Sequence, residues 1–213
     1  MGLYRDCILP WGIDRALDRA DCRELRQRAT RGLHGTVLEI GFGSGLNLPH
    51  YPDRVDCICA VDPSTFGRRL AARRIKACSI PIEFVGLTGE SIPLAAGSVD
   101  CALSTWTLCS IPDLGGALRE IKRVLRPGGV FHFLEHGLSP DEGVARWQQR
   151  LNGLQKLVVG GCQLNVPIDR RIREAGFATE SLETFYMKGP RLNSYMYIGV
   201  ASPAQFASER SGR

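Results

Sequence analysis

Short apolar runs recur along the chain, and between them the apolar positions fall into helical spacing. "TVLEI", "DCICAV", "IEFV", "VDCALS" and "VFHFLE" read as strands in which nearly every side chain is apolar. Strands covered on both faces have that composition, because neither face needs to meet water. Helical segments are expected between them at 47–51, 66–78 and 113–125, the last closed by Pro127 and Gly128 in "RVLRPGG". Strand and helix in alternation predict a parallel sheet with helices on both faces. A polar helical stretch at 13–31 precedes the first strand. After the fifth come a helix near 144–159, a short one in "PIDRRIREAG", and two final strands, "TESLETFY" and "SYMYIGVA". The expectation is one α/β domain over 1–213 with a seven-stranded sheet. Residues 1–31 form a helical segment placed to fold over the sheet edge as a lid, and the tail 207–213 is expected to be disordered.

The stretch "VLEIGFGSGLN", residues 37–47, departs from this simple alternation. An apolar strand ends at Ile40, and three glycines, Gly41, Gly43 and Gly45, follow in five positions. Glycine is costly to order unless the backbone needs its freedom or a ligand must come close. A strand, a glycine turn and a helix start at Leu46 together aim backbone amides at whatever lies beyond the sheet edge. Asp62 closes "CICAVD" 21 positions after Gly41, near the separation at which an acid reaches ribose hydroxyls in nucleotide folds. The combination predicts a ligand containing adenosine. Its Gly-x-Gly-x-Gly spacing differs from the Gly-x-Gly-x-x-Gly of dinucleotide oxidoreductases.

Composition narrows the class. The chain has 213 residues, of which 44% are hydrophobic and 23% charged, ordinary values for a globular domain with one core. No apolar run approaches the roughly 20 residues that span a bilayer, and "MGLYRDCILPWGID" has no apolar signal core, so the expectation is a cytoplasmic protein. Eight cysteines without a secretory context read as free thiols. Cys57 and Cys59 are two apart on a strand and point to one face. No CxxC pair is present, and none of the four histidines stands at helical ligand spacing from a cysteine, so no metal is expected. The net charge of +5 concentrates in "GRRLAARRIK", where Arg68, Arg69, Arg73, Arg74 and Lys76 have no acid among them. Such a run reads first as a solvated helix face, with peripheral contact to anionic lipid left open. No aromatic residues interleave with it, so no nucleic-acid partner is expected. Oligomeric state is left open.

With "LEIGFGSG", Asp62, "VGLTGESIPL", "SVDCALSTWTLCSIPD" and "ALREIKRVLRPGG" in this order, the chain resembles the class I S-adenosylmethionine-dependent methyltransferases of the type 11-like group. The resemblance runs from about Gly32 to the last strand. It implies a Rossmann-like doubly wound sheet, mostly parallel with one antiparallel strand near the edge, and S-adenosylmethionine as cofactor. It also implies roles. Glu39 and the turn Gly41, Phe42, Gly43, Gly45 with Asn47 would receive the methionine end, and Asp62 the ribose. Pro63, Ser64, Thr88, Gly89 and Glu90 would lie about the adenine, and Thr105 near the sulfonium. Thr88 stands where many relatives carry Asp, and Phe42 where a small residue is frequent.

"TWTLCSIPD", "FLEHG", "GGCQLNVPI" and "WQQRLN" resemble the methyltransferase-like alkyl thiol methyltransferases and their soluble bacterial relatives. The expected acceptor is therefore a small lipophilic molecule, a thiol first. A phenol, quinol or phospholipid amine is the alternative, and a cofactor-binding module without chemistry a third reading. Tyr4, Trp11, Trp106, Leu108, Cys109, Glu135 and Trp147 are the expected acceptor pocket. His136, closing the fifth strand at the ligand edge, is the expected general base, since an imidazole titrates near neutrality.

Overall fold

The computed structural model describes residues 4–204; the tail 207–213 and the first three residues of the expected lid lie outside them. The strands are Gly35–Ile40 (β1), Val55–Val61 (β2), Ile82–Gly86 (β3), Val99–Thr105 (β4), Leu125–His136 (β5), Phe177–Tyr186 (β6) and Tyr195–Pro203 (β7). They form one sheet in the order β3-β2-β1-β4-β5-β7-β6. The first five pair in parallel, and β7 runs antiparallel to both β5 and β6. A single antiparallel strand next to the edge is thus the pattern expected from the resemblance.

Alternation along the strands feeds two apolar layers, since successive side chains point to opposite faces. Leu38, Ile40, Cys59, Val61, Ala102, Phe131 and Phe133 pack on one face. Val37, Ile58, Ala60, Cys101, Leu103 and Leu134 pack on the other. The helices Leu114–Val124 (α4) and Ile168–Glu174 (α6) cover the first layer through Leu118, Ile121, Ile168 and Ile172. Ala20–Thr30 (α2) and Thr65–Ala77 (α3) cover the second through Leu25, Ala29 and Ala71. Helices thus lie on both faces. The helix Glu142–Val158 (α5) buries only Gln148, whose amide binds the carbonyls of Gly137 and Leu192.

Three elements differ from their sequence reading. The stretch 13–31 is two helices, Leu9–Leu17 (α1) and α2, broken at Asp18 and Arg19, where the backbone turns extended. Of the expected segment, α1 lies over the sheet edge, where Ile13 and Leu17 border a cavity, whereas α2 packs into the core. The helix expected at 47–51 is a single 3₁₀ turn, Leu48–His50, because Pro49 and the short span to β2 leave no room for more. The strand read as "VFHFLE" begins earlier, at Leu125, and its register with β4 shifts between Val99 and Cys101 as it passes Pro127 and Gly128.

The strand order reverses between β1 and β4, each of which leads away to a different half of the sheet. In an open parallel sheet a crevice forms at the carboxyl ends of the strands at such a point, because the connecting helices leave to opposite faces. The ends of β1, β2 and β4 bring Gly41, Asp62 and Thr105 to this crevice.

Candidate active site

Under the crevice lies a carboxylate with no exposure. Glu39 accepts from the Asn47 amide at 2.7 Å through one oxygen and from the Tyr51 hydroxyl at 2.7 Å through the other. Burial lifts its pKa to about 7, against the pull of those two donors and of Arg26. Asn47 also reaches Thr105 Oγ1 at 3.0 Å. Arg26 enters from α2 and donates to Asn47 Oδ1 at 2.7 Å and Thr105 Oγ1 at 3.0 Å. Its guanidinium carbon sits 4.7 Å from the centre of the Trp106 ring. Burial lowers the Arg26 pKa to about 10, which leaves it charged at neutral pH. Its Nε is buried with no partner among the described residues.

At the other end of the crevice Asp62 holds two backbone amides. Oδ2 accepts from Gly43 at 2.7 Å and Oδ1 from Ser64 at 2.6 Å. Burial raises its pKa, and the two N–H donors oppose that rise. Ser64 in turn caps α3 by accepting from the Gly67 amide at 2.9 Å, so the aspartate fixes the glycine turn and the start of α3 together. Gly41 takes φ +77°, and a Cβ there would lie 1.9 Å from Thr107 Oγ1, so the glycine allows the turns after β1 and β4 to touch. Gly43, at φ +54°, meets nothing nearer than 3.9 Å. Its open space is where a ligand can approach the main chain.

The turn after β4 is strained and held. Trp106 adopts φ +50°, a left-handed conformation costing a bulky residue on the order of 1–3 kcal/mol. A second sealed carboxylate stabilises it: Glu135 accepts from Ser104 Oγ at 2.7 Å and from the Thr107 amide at 2.8 Å. Burial pushes its pKa up to about 7.

Arg26, Gly41, Phe42, Gly43, Asn47, Asp62, Pro63, Ser64, Thr105 and Trp106 line one cavity of about 270 Å³. It adjoins a cleft of about 630 Å³ with which it shares Ile13, Gly43, Ser44, Pro63, Ser64 and Ser110, and the outer cleft adds Leu9, Pro10, Phe66 and Val159. Ile13 and Leu17 of α1 roof the inner cavity. Arg74 ties α1 down, with Nη1 at 2.8 Å from Asp14 and 3.0 Å from the Ser44 carbonyl. Arg68 lies 3.7 Å from the Phe84 ring centre, so the basic helix is a fastening as well as a solvated face.

Other expected site residues lie elsewhere. Glu39 is beneath the cavity rather than on it, and Gly45 packs on Leu48 and Ala71. Thr88 is exposed and Gly89 packs on Ile40, Ala117 and Ile111; neither they nor Glu90 line the cavity. Leu108, Cys109 and Glu135 are core, at 1%, 1% and 0% exposure, because the turn after β4 folds inward. Trp11 and Trp147 are more than half exposed. Trp147 meets Arg150, with 5.5 Å from the guanidinium carbon to the ring centre. The Tyr4 hydroxyl donates to the Val158 carbonyl at 2.8 Å, tying the N-terminal segment to α5. His136 is buried with Nε2 at 3.0 Å from Cys162 Sγ and does not line the cavity.

Arg26, Tyr51 and Ser110 were not among the expected residues. Arg26 had a signal. Cys22, Leu25, Arg26, Ala29 and Thr30 are the buried residues of α2, spaced i, i+3, i+4, i+7, i+8, so an arginine occupies the core-facing stripe of an otherwise polar helix.

Residues 38–133 match a family model described as a methyltransferase domain. Thiol S-methyltransferase TMT1A of Homo sapiens is 36% identical over 154 residues, which cover 70% of this chain and 62% of that protein. The chain thus spans less than two thirds of that relative's length. Geranyl diphosphate methyltransferase in complex with SAM superposes with a TM-score of 0.66 at 15% identity, covering 85% of this chain and 84% of its own. The [4+2]-cyclase SpnF superposes at 0.65 with 20% identity, covering 87% and 81%. These two likenesses establish a shared fold. Among the described residues no helix is long and apolar enough to cross a membrane.

The two sealed carboxylates make stability depend on pH in a defined direction. Glu39 and Glu135 sit at about 7 when folded against an ordinary 4.5, so the native state holds more protons than the unfolded one between those values. Their contribution is full below about pH 4.5 and is lost as pH rises through about 7. Glu39→Gln cannot ionise, and urea midpoints measured from pH 5 to 8 should fall less steeply for it than for the parent. Parallel curves would show that Glu39 titrates normally in the folded protein.

Proposed function

We infer that this chain, a member of the S-adenosylmethionine-dependent methyltransferase family, transfers the cofactor's methyl group to the sulfur of a small thiol. The observation that carries the reading is the position of Arg26 and Asp62 on the wall of one cavity, a cation and an anion separated by the glycine turn. The donor set suits the cofactor. Asp62 would accept the ribose hydroxyls. Arg26 Nε, without a partner among the described residues, and the nearby Thr105 and Asn47 would hold the amino-acid end, and the open backbone at Gly43 would lie along it. Similarity to a thiol S-methyltransferase supports sulfur as the acceptor atom, and the apolar wall of the outer cleft supports a small lipophilic thiol.

When bound, the cofactor supplies an activated methyl on a sulfonium, so the chain's task is alignment and exclusion of water. Trp106, held rigidly by the Glu135 clamp, presents a flat apolar wall beside Thr105. α1 closes over the cavity through Ile13 and Leu17, and its Asp14–Arg74 pair is the fastening that must loosen for exchange. The ionisable side chains lining cavity and cleft are Arg26, Asp62 and Asp14, none of which is a base suited to a thiol. The thiol therefore ionises by itself, in a cavity whose wall carries the Arg26 cation.

Two outcomes follow. Asp62→Ala and Arg26→Met should each weaken S-adenosylmethionine binding by roughly 10- to 100-fold in titration calorimetry, the loss of a charge-assisted hydrogen bond of about 1.5–3 kcal/mol; circular dichroism confirms that each variant is folded. Binding equal to the parent's in both would place the cofactor elsewhere. Turnover with an alkyl thiol should rise with pH toward the thiol's own pKa, which is about 8.5 for a cysteine-like thiol and higher for a simple alkanethiol, and the profile should move down in pH with a more acidic aryl thiol. A profile that stays in place for both thiols would reveal a base on the protein.

A further inference from the structure

Cys109, His136 and Cys162 are separated by 26 residues or more in the sequence and meet in space. Cys109 sits in the 3₁₀ turn Leu108–Ser110 after β4, His136 ends β5, and Cys162 lies in the connection between α5 and α6. The two sulfurs are 3.6 Å apart, His136 Nε2 is 3.0 Å from Cys162 Sγ, and all three donor atoms fall within 4.8 Å of one another. Every member is buried. The backbone holds the arrangement independently of the side chains: the Gln163 amide donates to the Cys109 carbonyl at 3.0 Å, and the Cys162 amide to the Val159 carbonyl at 3.0 Å. His136 Nδ1 is buried with no partner among the described residues, so Nε2, facing the sulfurs, makes the ring's one polar contact.

Two thiolates and a neutral imidazole are the donors a thiophilic d¹⁰ dication prefers. With bonds of about 2.3 Å to sulfur and 2.0 Å to nitrogen, a tetrahedral ion would space its sulfurs at about 3.8 Å and a sulfur and nitrogen at about 3.5 Å. The observed edges of 3.6 and 3.0 Å need to open by about half an ångström or less, and the third, from Cys109 Sγ to His136 Nε2 and within 4.8 Å, adjusts toward about 3.5 Å. We propose that Cys109, His136 and Cys162 form a binding site for a zinc-class dication, with a fourth position taken by solvent or a neighbouring oxygen. Ser110 Oγ, 3.6 Å from Cys109 Sγ, stands next to it. Binding displaces one proton from each thiol to solvent. The dication and two thiolates then sum to zero charge, which is the form a buried site can hold. The ion would join the turn after β4 to the end of β5 and to the α5–α6 connection. Ser110 and Val159 border the cavity and its outer cleft from these same segments, so the ion would fix the rim of the acceptor side whatever the acceptor is.

The sequence conceals this site because its ligands come from three elements, with no pair at the short spacing that marks a zinc motif. Cobalt(II) makes the test spectroscopic and independent of methyl transfer. The full chain, stripped with a chelator and kept in a non-thiol reductant, is titrated with cobalt(II). Thiolate-to-cobalt absorption in the near ultraviolet and intense tetrahedral d–d bands should appear, saturate at one ion per chain, and vanish when zinc is added. Cys109→Ser and Cys162→Ser should each lose the thiolate band, and Cys57→Ser should keep it. Zinc should also raise the parent's melting temperature. A folded parent that shows no thiolate band overturns the proposal without recourse to any variant. So does a band that survives both Cys109→Ser and Cys162→Ser.

Discussion

The bond between the Glu39 carboxylate and the Asn47 amide is the contact on which the crevice depends. Glu39, next to last in β1, points into a sealed space, where an ionised carboxylate without donors would be costly. It is supplied from two sides, by Asn47 after the glycine turn and Tyr51 after the 3₁₀ turn, and this fixes the chain path from β1 to β2. Asn47 then passes the constraint outward to Arg26 and Thr105. A core helix, the glycine turn and the end of β4 are thereby joined through one buried group. Because these bonds share partners, the loss of any one leaves another polar group stranded, and the network behaves as a unit.

Glu135 has the same place two strands further along, on β5. Its carboxylate takes up the Thr107 amide and Ser104 hydroxyl and so stabilises the left-handed Trp106, which no local preference would produce. Strain of this kind persists where the surroundings over-determine it, and it collects at functional sites. Here it sets a rigid aromatic wall against Arg26 and beside Thr105. Both acids are therefore builders of the site, and the groups free to meet a ligand are those they position.

The sheet was legible because its strands are covered on both faces and read as apolar runs, and because the glycine turn and Asp62 mark the switch point in any fold of this kind. The seven strands and the cavity wall of Gly41, Phe42, Gly43 and Asn47, with Asp62 to Ser64 and Thr105, follow from those local signals. The acceptor side was not legible. Whether Leu108 and Cys109 face a ligand or the core depends on an inward fold of the turn after β4, which rests on Glu135 and on Trp106 taking a conformation rare for its type. Trp11 and Trp147 were attractive as aromatics, yet nothing in a sequence fixes how far a surface helix stands from the sheet edge. The pairing of His136 with Cys162 is likewise tertiary, joining elements that share no motif.

The central claim is transfer of a methyl group to sulfur inside the cavity bounded by Arg26 and Asp62. Incubating the chain with methyl-deuterated S-adenosylmethionine and a small alkyl thiol, and resolving products by mass spectrometry, tests it most directly. The account predicts a labelled methyl thioether in equal amount to S-adenosylhomocysteine, with both lost in Asp62→Ala. S-adenosylhomocysteine that forms without labelled thioether, or no turnover of any thiol by a protein that binds the cofactor, would contradict it.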